Sequence, residues 1–391
     1  MSEPFLPYGR QSIDESDLAA VARVLQSDYL TTGPEIPAFE TEFAAAVTAP
    51  HAVACNSATA ALHLALDGLG VGPGDVCIVP TITFLATANA ARYCGADVVF
   101  ADVDSETGLL TAETFAEALT RVGGRAKVVL PVHLGGAMCD MAAIAPAARK
   151  AGLKIVEDSC HAIGSVDASG DPAGACMRSD AATFSFHPVK TLASGEGGMV
   201  TTRDGALAAL MARRRSHGVE RDPARFERAD MAEAPWWYEQ QELGWNYRMP
   251  DILAALARSQ LARLPQFAAK RRALCAAYDT ALTEFAPPVW TPAFQRGVDP
   301  CRHLMNVRID FAADKCTREG VMARLKERGV GSQVHYIPVH TQPYYRALYG
   351  DADLPGARAY YDKTLSLPLY PDMSESDVGR VADALAFALK L

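Results

Sequence analysis

The chain has 391 residues, of which 49% are hydrophobic and 21% are charged, and its formal net charge is −9 at pH 7. This hydrophobic fraction supports a sizeable core and excludes a disordered protein, and the length allows more than one domain. The acidic balance argues against nucleic acid as the main partner, although a local basic patch could still attract a phosphorylated small molecule.

The N-terminal stretch and the cysteines indicate the compartment. Residues 1–11 lack the basic-then-apolar order of a signal peptide, and no apolar run is long enough to span a bilayer. The nine cysteines are scattered without a CxxC pair, as is typical of reduced thiols and not of a disulfide framework or a zinc site. We therefore predict a cytoplasmic protein with no membrane partner.

Between about residues 50 and 205, apolar runs that predict strands alternate with alanine-rich stretches that predict helices. The strand runs are HAVACN, DVCIVP, DVVFADVD, AKVVLPVHL, LKIVEDS, AATFSFH and GGMVTT. Helical stretches such as SATAALHLALDGL and DMAAIAPAARKAG lie between several of them. This alternation predicts a doubly wound α/β fold with a mainly parallel sheet, in which ligands bind beyond the carboxyl ends of the strands.

The pattern changes after residue 205. LAALMARRRSHG predicts a helix, residues 219–240 are polar and irregular, and residues 249–282 have a helical period that Pro265 breaks. HLMNVRIDF and REGVMARLKERG favour a smaller α/β domain. We predict a large domain over residues 1–250 and a smaller C-terminal domain over residues 251–391 that includes a bridging helix.

Two strand ends carry residues suited to binding or catalysis. In ACNSATAALHLAL, Ser57 and Thr59 could cap a helix whose free N–H groups suit a phosphate, although an ordinary capped helix explains them equally well. Glu157 and Asp158 end another strand, and strand alternation points them to opposite faces, so we expect only one in a site. The glycines of GLGVGPG follow a helix and lack the third glycine of a dinucleotide loop, which indicates a turn.

The stretch FSFHPVKTLASGEGG places Ser185, His187 and Lys190 between a predicted strand and a glycine-rich turn. Hydrolysis by a Ser–His–Asp triad is disfavoured, because no Gly-x-Ser-x-Gly elbow surrounds Ser185. A metal held by His187, His161 and Asp158 is disfavoured too, because their spacing matches no metal motif. Neither hypothesis uses Lys190.

Pyridoxal phosphate (PLP) is a cofactor that uses all of these residues. It needs a lysine for its Schiff base, a carboxylate against its ring nitrogen, and hydroxyls with a helix N-terminus for its phosphate. Lys190, Asp158, Ser185 and residues 57–60 supply these groups, and Phe84 supplies an aromatic face. Each element alone is unspecific, but the ordered set predicts a PLP enzyme that needs no metal.

On these motifs the sequence resembles the PLP-dependent nucleotide-sugar aminotransferases of the DegT/DnrJ group, which have the type I, aspartate aminotransferase-like fold. The resemblance extends over nearly the whole chain, through YGRQSIDESDLAAVARVL, PTITFLATANA, EDSCHAIGS, ELGWNYRMPDILAALARSQL and VHYIPVH. FSFHPVK, NSATA and QVHYIPVHTQPYY are most similar to the pseudaminic acid branch. That branch aminates C4 of a UDP-linked 4-keto-6-deoxy-N-acetylhexosamine with L-glutamate. GGAMCDM departs from the commoner GQPCDM pattern, which affects the identity of the sugar more than the reaction.

The resemblance implies a role for each matching residue in a ping-pong transamination that releases 2-oxoglutarate. Lys190 would form the Schiff base and act as general base, and Asp158 would pair with the ring nitrogen. Phe84 would stack on the ring, and His161 would lie near its hydroxyl. Ala58, Thr59 and Ser185 would hold the phosphate, with Asn246 reaching in from the second subunit of a homodimer. The sugar-nucleotide contacts would be Tyr8, Asp28, Tyr29, Leu30, Thr31, Ser332, Gln333, Val334 and His335.

Three alternatives stay open at this point. The same chemistry could act on a dTDP- or GDP-linked keto sugar. A PLP-dependent sugar dehydratase of the same group would carry histidine in place of Lys190, so this residue argues against it. An inactive PLP-binding regulatory paralogue is disfavoured by the retention of Lys190, Asp158 and Ser185.

Overall fold

A seven-stranded sheet lies at the centre of the protein, in a computed structural model that describes residues 4–295, 297–312 and 316–391. Its strands run in the order β1-β7-β6-β5-β4-β2-β3. β7 is antiparallel to both of its neighbours, and the other pairs are parallel, which confirms the mainly parallel sheet. The strands are β1 (His51–Cys55), β2 (Val76–Pro80), β3 (Asp97–Ala101), β4 (Ala126–Val129), β5 (Lys154–Asp158), β6 (Ala181–Ser185) and β7 (Gly198–Thr202).

Helices cover both faces of this sheet. Successive side chains of a strand point to opposite faces, so a strand between two helical layers is apolar throughout. In β2, Cys77 and Val79 join the core that contains α3 and α4, whereas Val76 and Ile78 join the core that contains α5 and α6. The helices are α1 (Glu15–Leu25), α2 (Glu35–Ala46), α3 (Ala58–Gly68), α4 (Leu85–Tyr93), α5 (Ala112–Val122), α6 (Met141–Lys150) and α7 (Gly205–Arg214).

The segment after α7 has little regular structure until two consecutive helices begin. It holds the two-residue strands β8 (Val219–Glu220) and β9 (Glu239–Gln240), in agreement with its irregular, polar sequence. The helices are α8 (Asp251–Ala262) and α9 (Leu264–Thr283). The predicted break falls between them, because Pro265 occupies the first turn of α9, where a missing N–H is tolerated.

The C-terminal part forms a second core around a small antiparallel sheet of β10 (Val289–Trp290), β11 (Met305–Ile309) and β12 (Thr364–Leu367). Leu6, near the start of the chain, packs into this core with residues of α9 and α13. The remaining helices are α10 (Arg318–Glu327), α11 (Pro343–Tyr349), α12 (Pro355–Lys363) and α13 (Glu375–Leu389). Within the described ranges, no helix combines the length and the apolar character needed to cross a bilayer.

Candidate active site

A cavity of about 600 Å³ opens at the carboxyl ends of the central strands, where a doubly wound sheet binds its ligand. Asp158 ends β5, the middle strand of the sheet, and Ser185 ends the neighbouring β6. Lys190 follows β6 by a short turn in which its N–H donates to the His187 carbonyl at 2.8 Å. These three side chains therefore line one space, although they come from two separate motifs of the sequence.

The N-terminus of α3 faces the same cavity. Ser57 is its N-cap and accepts the Ala60 N–H at 3.1 Å, while Ala58 and Thr59 lie in the first turn and line the cavity. The first-turn N–H groups and the helix dipole suit an anion at this position. Gly198, the first residue of β7, lies against this cap, since a Cβ atom there would be 2.3 Å from the backbone carbonyl oxygen of Ser57. The glycine thus permits close packing of β7 against the helix start.

Asp158 is 6% exposed and is held at both carboxylate oxygens. Its Oδ2 atom accepts the Thr87 hydroxyl at 2.7 Å, and its Oδ1 atom accepts the Cys160 N–H at 3.2 Å. Thr83 in turn lies 2.7 Å from Thr87, oxygen to oxygen. Glu157 points to the opposite face, as strand alternation predicts, and does not line the cavity. The carboxylate of Asp158 is therefore fixed in orientation, which suits a partner for a ring nitrogen.

Lys190 lies in a cavity wall that favours its neutral form. Burial lowers the pKa of the Lys190 ammonium, and the nearby Asp158 carboxylate offsets only part of this effect. A larger neutral fraction makes the amine a better nucleophile and base near neutral pH.

The hydrogen bonds of His161 assign its tautomer. Its Nδ1 atom accepts the Gly135 N–H at 3.2 Å, so the ring proton lies on Nε2, 3.1 Å from the Tyr336 oxygen. The Tyr336 oxygen therefore accepts a hydrogen bond from this N–H, and its own hydroxyl proton is left to donate to another group. Burial, and then the charge of Lys190, holds the pKa of His161 well below its usual range. The imidazole is therefore neutral, and Tyr336 is a hydrogen-bond donor beside it.

The hydrogen bonds of His335 assign its tautomer as well. Ser366 donates to Asn306 Oδ1 at 2.6 Å, so His335 Nδ1, 2.8 Å from the same serine oxygen, must be the donor of that contact. The Nε2 atom of His335 then carries a lone pair. Burial, and then Lys190, lowers the pKa of His335 to about 3. Next to each other in the sequence, His335 and Tyr336 thus add an acceptor and a donor to the cavity lining.

The structure brings most of the predicted site residues together. Those that line the cavity are Tyr8, Ala58, Thr59, Phe84, Asp158, His161, Ser185, Lys190, Gln333, Val334 and His335. Those that lie outside its lining are Asp28, Tyr29, Leu30, Thr31, Asn246 and Ser332. Residues 28–31 and Asn246 are exposed on the surface of the chain. The roles predicted for these six residues would require contacts beyond the cavity of a single chain.

Sequence reasoning missed several residues of the site. Thr87, Tyr336 and His303 line or support the cavity but were not predicted, and His303 packs with its ring 4.6 Å from that of His161. The spacing of Thr83 and Thr87 in TITFLAT, four residues apart at a helix start, is a signal that was available. Met138, where GGAMCDM differs from the commoner family pattern, packs with Ala162 and does not line the cavity.

The described residues fit PLP. The cavity has an amine with a lowered pKa, a hydrogen-bonded carboxylate, a helix N-terminus for a phosphate, and Phe84, an aromatic residue that is 58% exposed. A mainly parallel seven-stranded sheet with this set at its carboxyl edge defines a type I PLP-dependent transferase.

Residues 11–386 match the DegT/DnrJ/EryC1/StrS aminotransferase family, and the chain belongs to this family. It is a PLP-dependent nucleotide-sugar aminotransferase.

Known relatives are similar over the whole chain. The spore coat polysaccharide biosynthesis protein SpsC of Bacillus subtilis is 40% identical over 398 residues, which covers 99% of this chain and 97% of that protein. The crystal structure of the aminotransferase TlmJ from Streptoalloteichus hindustanus has a TM-score of 0.89 at 32% identity, covering 99% of both chains. Helicobacter pylori PseC, an aminotransferase of pseudaminic acid biosynthesis, has a TM-score of 0.87 at 26% identity, again over 99% of both chains.

Proposed function

We propose that this enzyme transfers the amino group of L-glutamate to C4 of a UDP-linked 4-keto-6-deoxy-N-acetylhexosamine, as in pseudaminic acid biosynthesis. The observation that carries the transfer is the convergence of Lys190, Asp158 and the α3 N-terminus on one cavity. The choice of sugar is supported by FSFHPVK and QVHYIPVHTQPYY and by the similarity to PseC over 99% of both chains.

Lys190 and Asp158 have different roles in the proposed reaction. When bound, PLP supplies an aldehyde for the amine and a ring that accepts electrons from the substrate carbon. The Lys190 amine would hold the aldehyde carbon and, when free, would move the proton at the substrate Cα. Asp158, as a carboxylate, would pair with the ring nitrogen and favour its protonated form. After 2-oxoglutarate leaves, the same two residues would act on the keto sugar, and the steps would run in the reverse order.

The remaining proposed contacts hold the cofactor and the sugar nucleotide. Phe84 would hold the ring, His161 would contact the ring hydroxyl, and the start of α3 would hold the phosphate. The phosphate contacts are Ala58, Thr59 and Ser185, and the sugar-nucleotide contacts are Tyr8, Asp28, Tyr29, Leu30, Thr31, Ser332, Gln333, Val334 and His335. Residues 28–31 adjoin α8, because the Asp251 N–H donates to the Leu30 carbonyl at 3.0 Å.

We also propose a homodimer in which Asn246 completes the phosphate site of the second subunit. Asn246 is exposed and does not line the cavity of its own chain. Leu243 and Trp236 in the same segment are 77% and 72% exposed, and large exposed apolar side chains favour an interface. Mixed dimers of Asn246→Ala and Lys190→Ala chains test this proposal. Restored activity supports a shared site, and its absence in dimers that do form contradicts it.

A substrate panel tests the proposed reaction. PLP-loaded enzyme is first treated with L-glutamate, and conversion of the cofactor is followed by absorbance; purified UDP-, dTDP- and GDP-linked keto sugars are then added. We expect turnover with the UDP-linked 4-keto sugar and none in Lys190→Ala. Lys154→Ala, which removes an exposed lysine paired with Asp180 at 3.3 Å, is the matched control. Cofactor absorbance that glutamate leaves unchanged would indicate an inactive PLP-binding paralogue.

A second candidate is the same transfer on another keto sugar nucleotide. The observation behind it is that the 40% identity to SpsC, a spore coat polysaccharide biosynthesis protein, exceeds the 26% identity to PseC. Preference for a dTDP- or GDP-linked sugar by tenfold or more in kcat/KM, about 1.4 kcal/mol, would select this candidate.

A further inference from the structure

His133 and Glu157 form a buried pair on the face of β5 opposite to Asp158. The Nε2 atom of His133 lies 2.6 Å from the Oε2 atom of Glu157, and the two residues are 0% and 5% exposed. The Nδ1 atom of His133 accepts the Cys139 N–H at 3.1 Å, so the ring proton lies on Nε2 and is donated to Glu157. Each ring nitrogen of His133 therefore has a fixed partner.

His133 holds both ends of residues 133–139, which we name the 133–139 loop, and Glu157 orients the His133 ring. The loop begins with the His133 N–H, which donates to the Asp158 carbonyl at 3.0 Å, and ends with the Cys139 N–H on the His133 ring. Between them, Gly136 adopts φ 97°, and a Cβ atom there would be 2.3 Å from the Cys301 oxygen. The loop thus has one tightly packed position.

The same loop supplies the donor that sets the tautomer of His161. Gly135 lies inside it and directs its N–H to His161 Nδ1 at 3.2 Å. This leaves the His161 proton on Nε2, facing Tyr336 at 3.1 Å. Displacement of Gly135 would remove this constraint, because either nitrogen of a neutral imidazole can carry the proton.

The fold alone does not require a polar pair here. Ile155, two residues earlier on the same face of β5, belongs to an apolar core. A buried polar pair contributes less to stability than well-packed apolar residues of similar volume, so it is weak evidence for a purely structural role.

We propose that His133 and Glu157 are positioning residues for transamination: through the 133–139 loop they hold His161 in the tautomer with its proton on Nε2. The proposal rests on the role proposed above for His161 at the cofactor ring. Its structural part concerns the protein alone and can be measured without cofactor or substrate.

Nitrogen NMR of histidine-labelled apoprotein tests the structural part. The ¹⁵N shifts distinguish a protonated ring nitrogen from one with a lone pair, and loss of signals in His161→Gln assigns the residue. We expect the Nε2–H form in the wild type and in Glu157→Gln, whose amide oxygen can accept the His133 proton. Glu157→Leu should populate the Nδ1–H form. An unchanged His161 tautomer in folded Glu157→Leu would overturn the proposal.

Two further variants separate positioning from loss of stability. Asp17→Leu removes another buried carboxylate, paired with Arg263 at 2.8 Å, and should leave the His161 tautomer unchanged. His133→Gln keeps a donor for Glu157 but lacks the atom that accepts the Cys139 N–H. This variant should change the tautomer even where Glu157→Leu fails to fold, and an unchanged tautomer in it would equally overturn the proposal.

Activity of the PLP-loaded enzyme tests the catalytic consequence. We expect kcat of the glutamate half-reaction to fall about 100-fold in Glu157→Leu, as for a misplaced catalytic contact, with a much smaller change in KM. Glu157→Gln should restore most of this loss. A changed tautomer with full kcat would contradict the proposed role of His161 and leave the positioning effect standing, so the two failures are distinguishable.

Discussion

Thr87 donates a hydrogen bond of 2.7 Å to Asp158, from a position 71 residues earlier in the chain. Thr87 lies in the first turn of α4, and Phe84 is the N-cap of the same helix. One helix start therefore presents an aromatic ring to the cavity and a hydroxyl to the carboxylate. The orientation of Asp158 thus depends on where α4 begins.

Replacement of Thr87 by valine should lower kcat while the fold is retained. The substitution preserves shape but removes a hydrogen bond to a carboxylate, which is worth about 1.5–3 kcal/mol, or roughly ten- to a hundredfold in rate if the orientation of Asp158 is lost. Steady-state kinetics measure this. Thr201→Val removes a buried hydroxyl that donates to Gly174 at 2.8 Å outside the cavity lining, and it should lose stability without loss of kcat. Equal kcat in both variants would contradict the prediction.

Replacement of Tyr336 by phenylalanine should affect both stability and turnover. The buried His161 Nε2–H loses its acceptor, which costs about 1–3 kcal/mol of unfolding free energy, and the cavity loses a donor. Chemical denaturation and kcat report the two effects. Tyr345→Phe, which loses a 2.7 Å hydrogen bond to Asn89, is the control for stability alone. If the two variants lose stability equally and kcat is unchanged in both, Tyr336 has only a structural role.

Replacement of Gly198 by alanine should weaken cofactor binding. The added Cβ would lie 2.3 Å from the backbone carbonyl oxygen of Ser57, so the start of α3 must move, and such overpacking typically costs about 1–3 kcal/mol. Because that helix start faces the cavity, we expect the Kd for PLP to rise about tenfold or more. Fluorescence titration of the apoprotein measures it. Gly72→Ala adds a methyl group where no heavy atom lies within 4 Å, and it should leave the Kd unchanged.

Acid should destabilise the apoprotein through His335. Its pKa in the fold is about 3, whereas an unfolded histidine titrates near 6.5, so between these values the unfolded state binds more protons. The free energy of unfolding therefore falls as pH falls below about 6.5, with a slope of up to about 1.4 kcal/mol per pH unit from this residue. Urea denaturation at pH 7 and pH 5 should show a shallower slope in His335→Gln. Parallel pH dependence in the two proteins would refute this assignment.

Much of the fold was predictable because the relevant signals are local. Each of the seven strands lies in a quoted apolar run, and the break at Pro265 follows from the missing N–H of proline. The antiparallel placement of β7 between β1 and β6 was not predictable, since strand order depends on contacts between segments distant in sequence.

The site shows the same division. Asp158, Ser185 and Lys190 could be predicted to lie together because they stand at or just after strand ends, and the carboxyl ends of parallel strands meet at one edge of a sheet. Thr87 and Tyr336 were missed because their partners lie 71 and 175 residues away. The Thr83–Thr87 spacing in TITFLAT was a local signal, but it does not point to Asp158, and the residue type of Tyr336 gives no sign of its partner.

The sequence by itself therefore determined which segments form strands and helices and which chemical groups stand at the strand ends. Both depend on side-chain periodicity and on neighbours a few residues apart. Only the tertiary structure decided that His161 carries its proton on Nε2 and His335 on Nδ1. A neutral imidazole has two nearly equivalent tautomers, and the choice is made by hydrogen-bond partners that folding brings within about 3 Å.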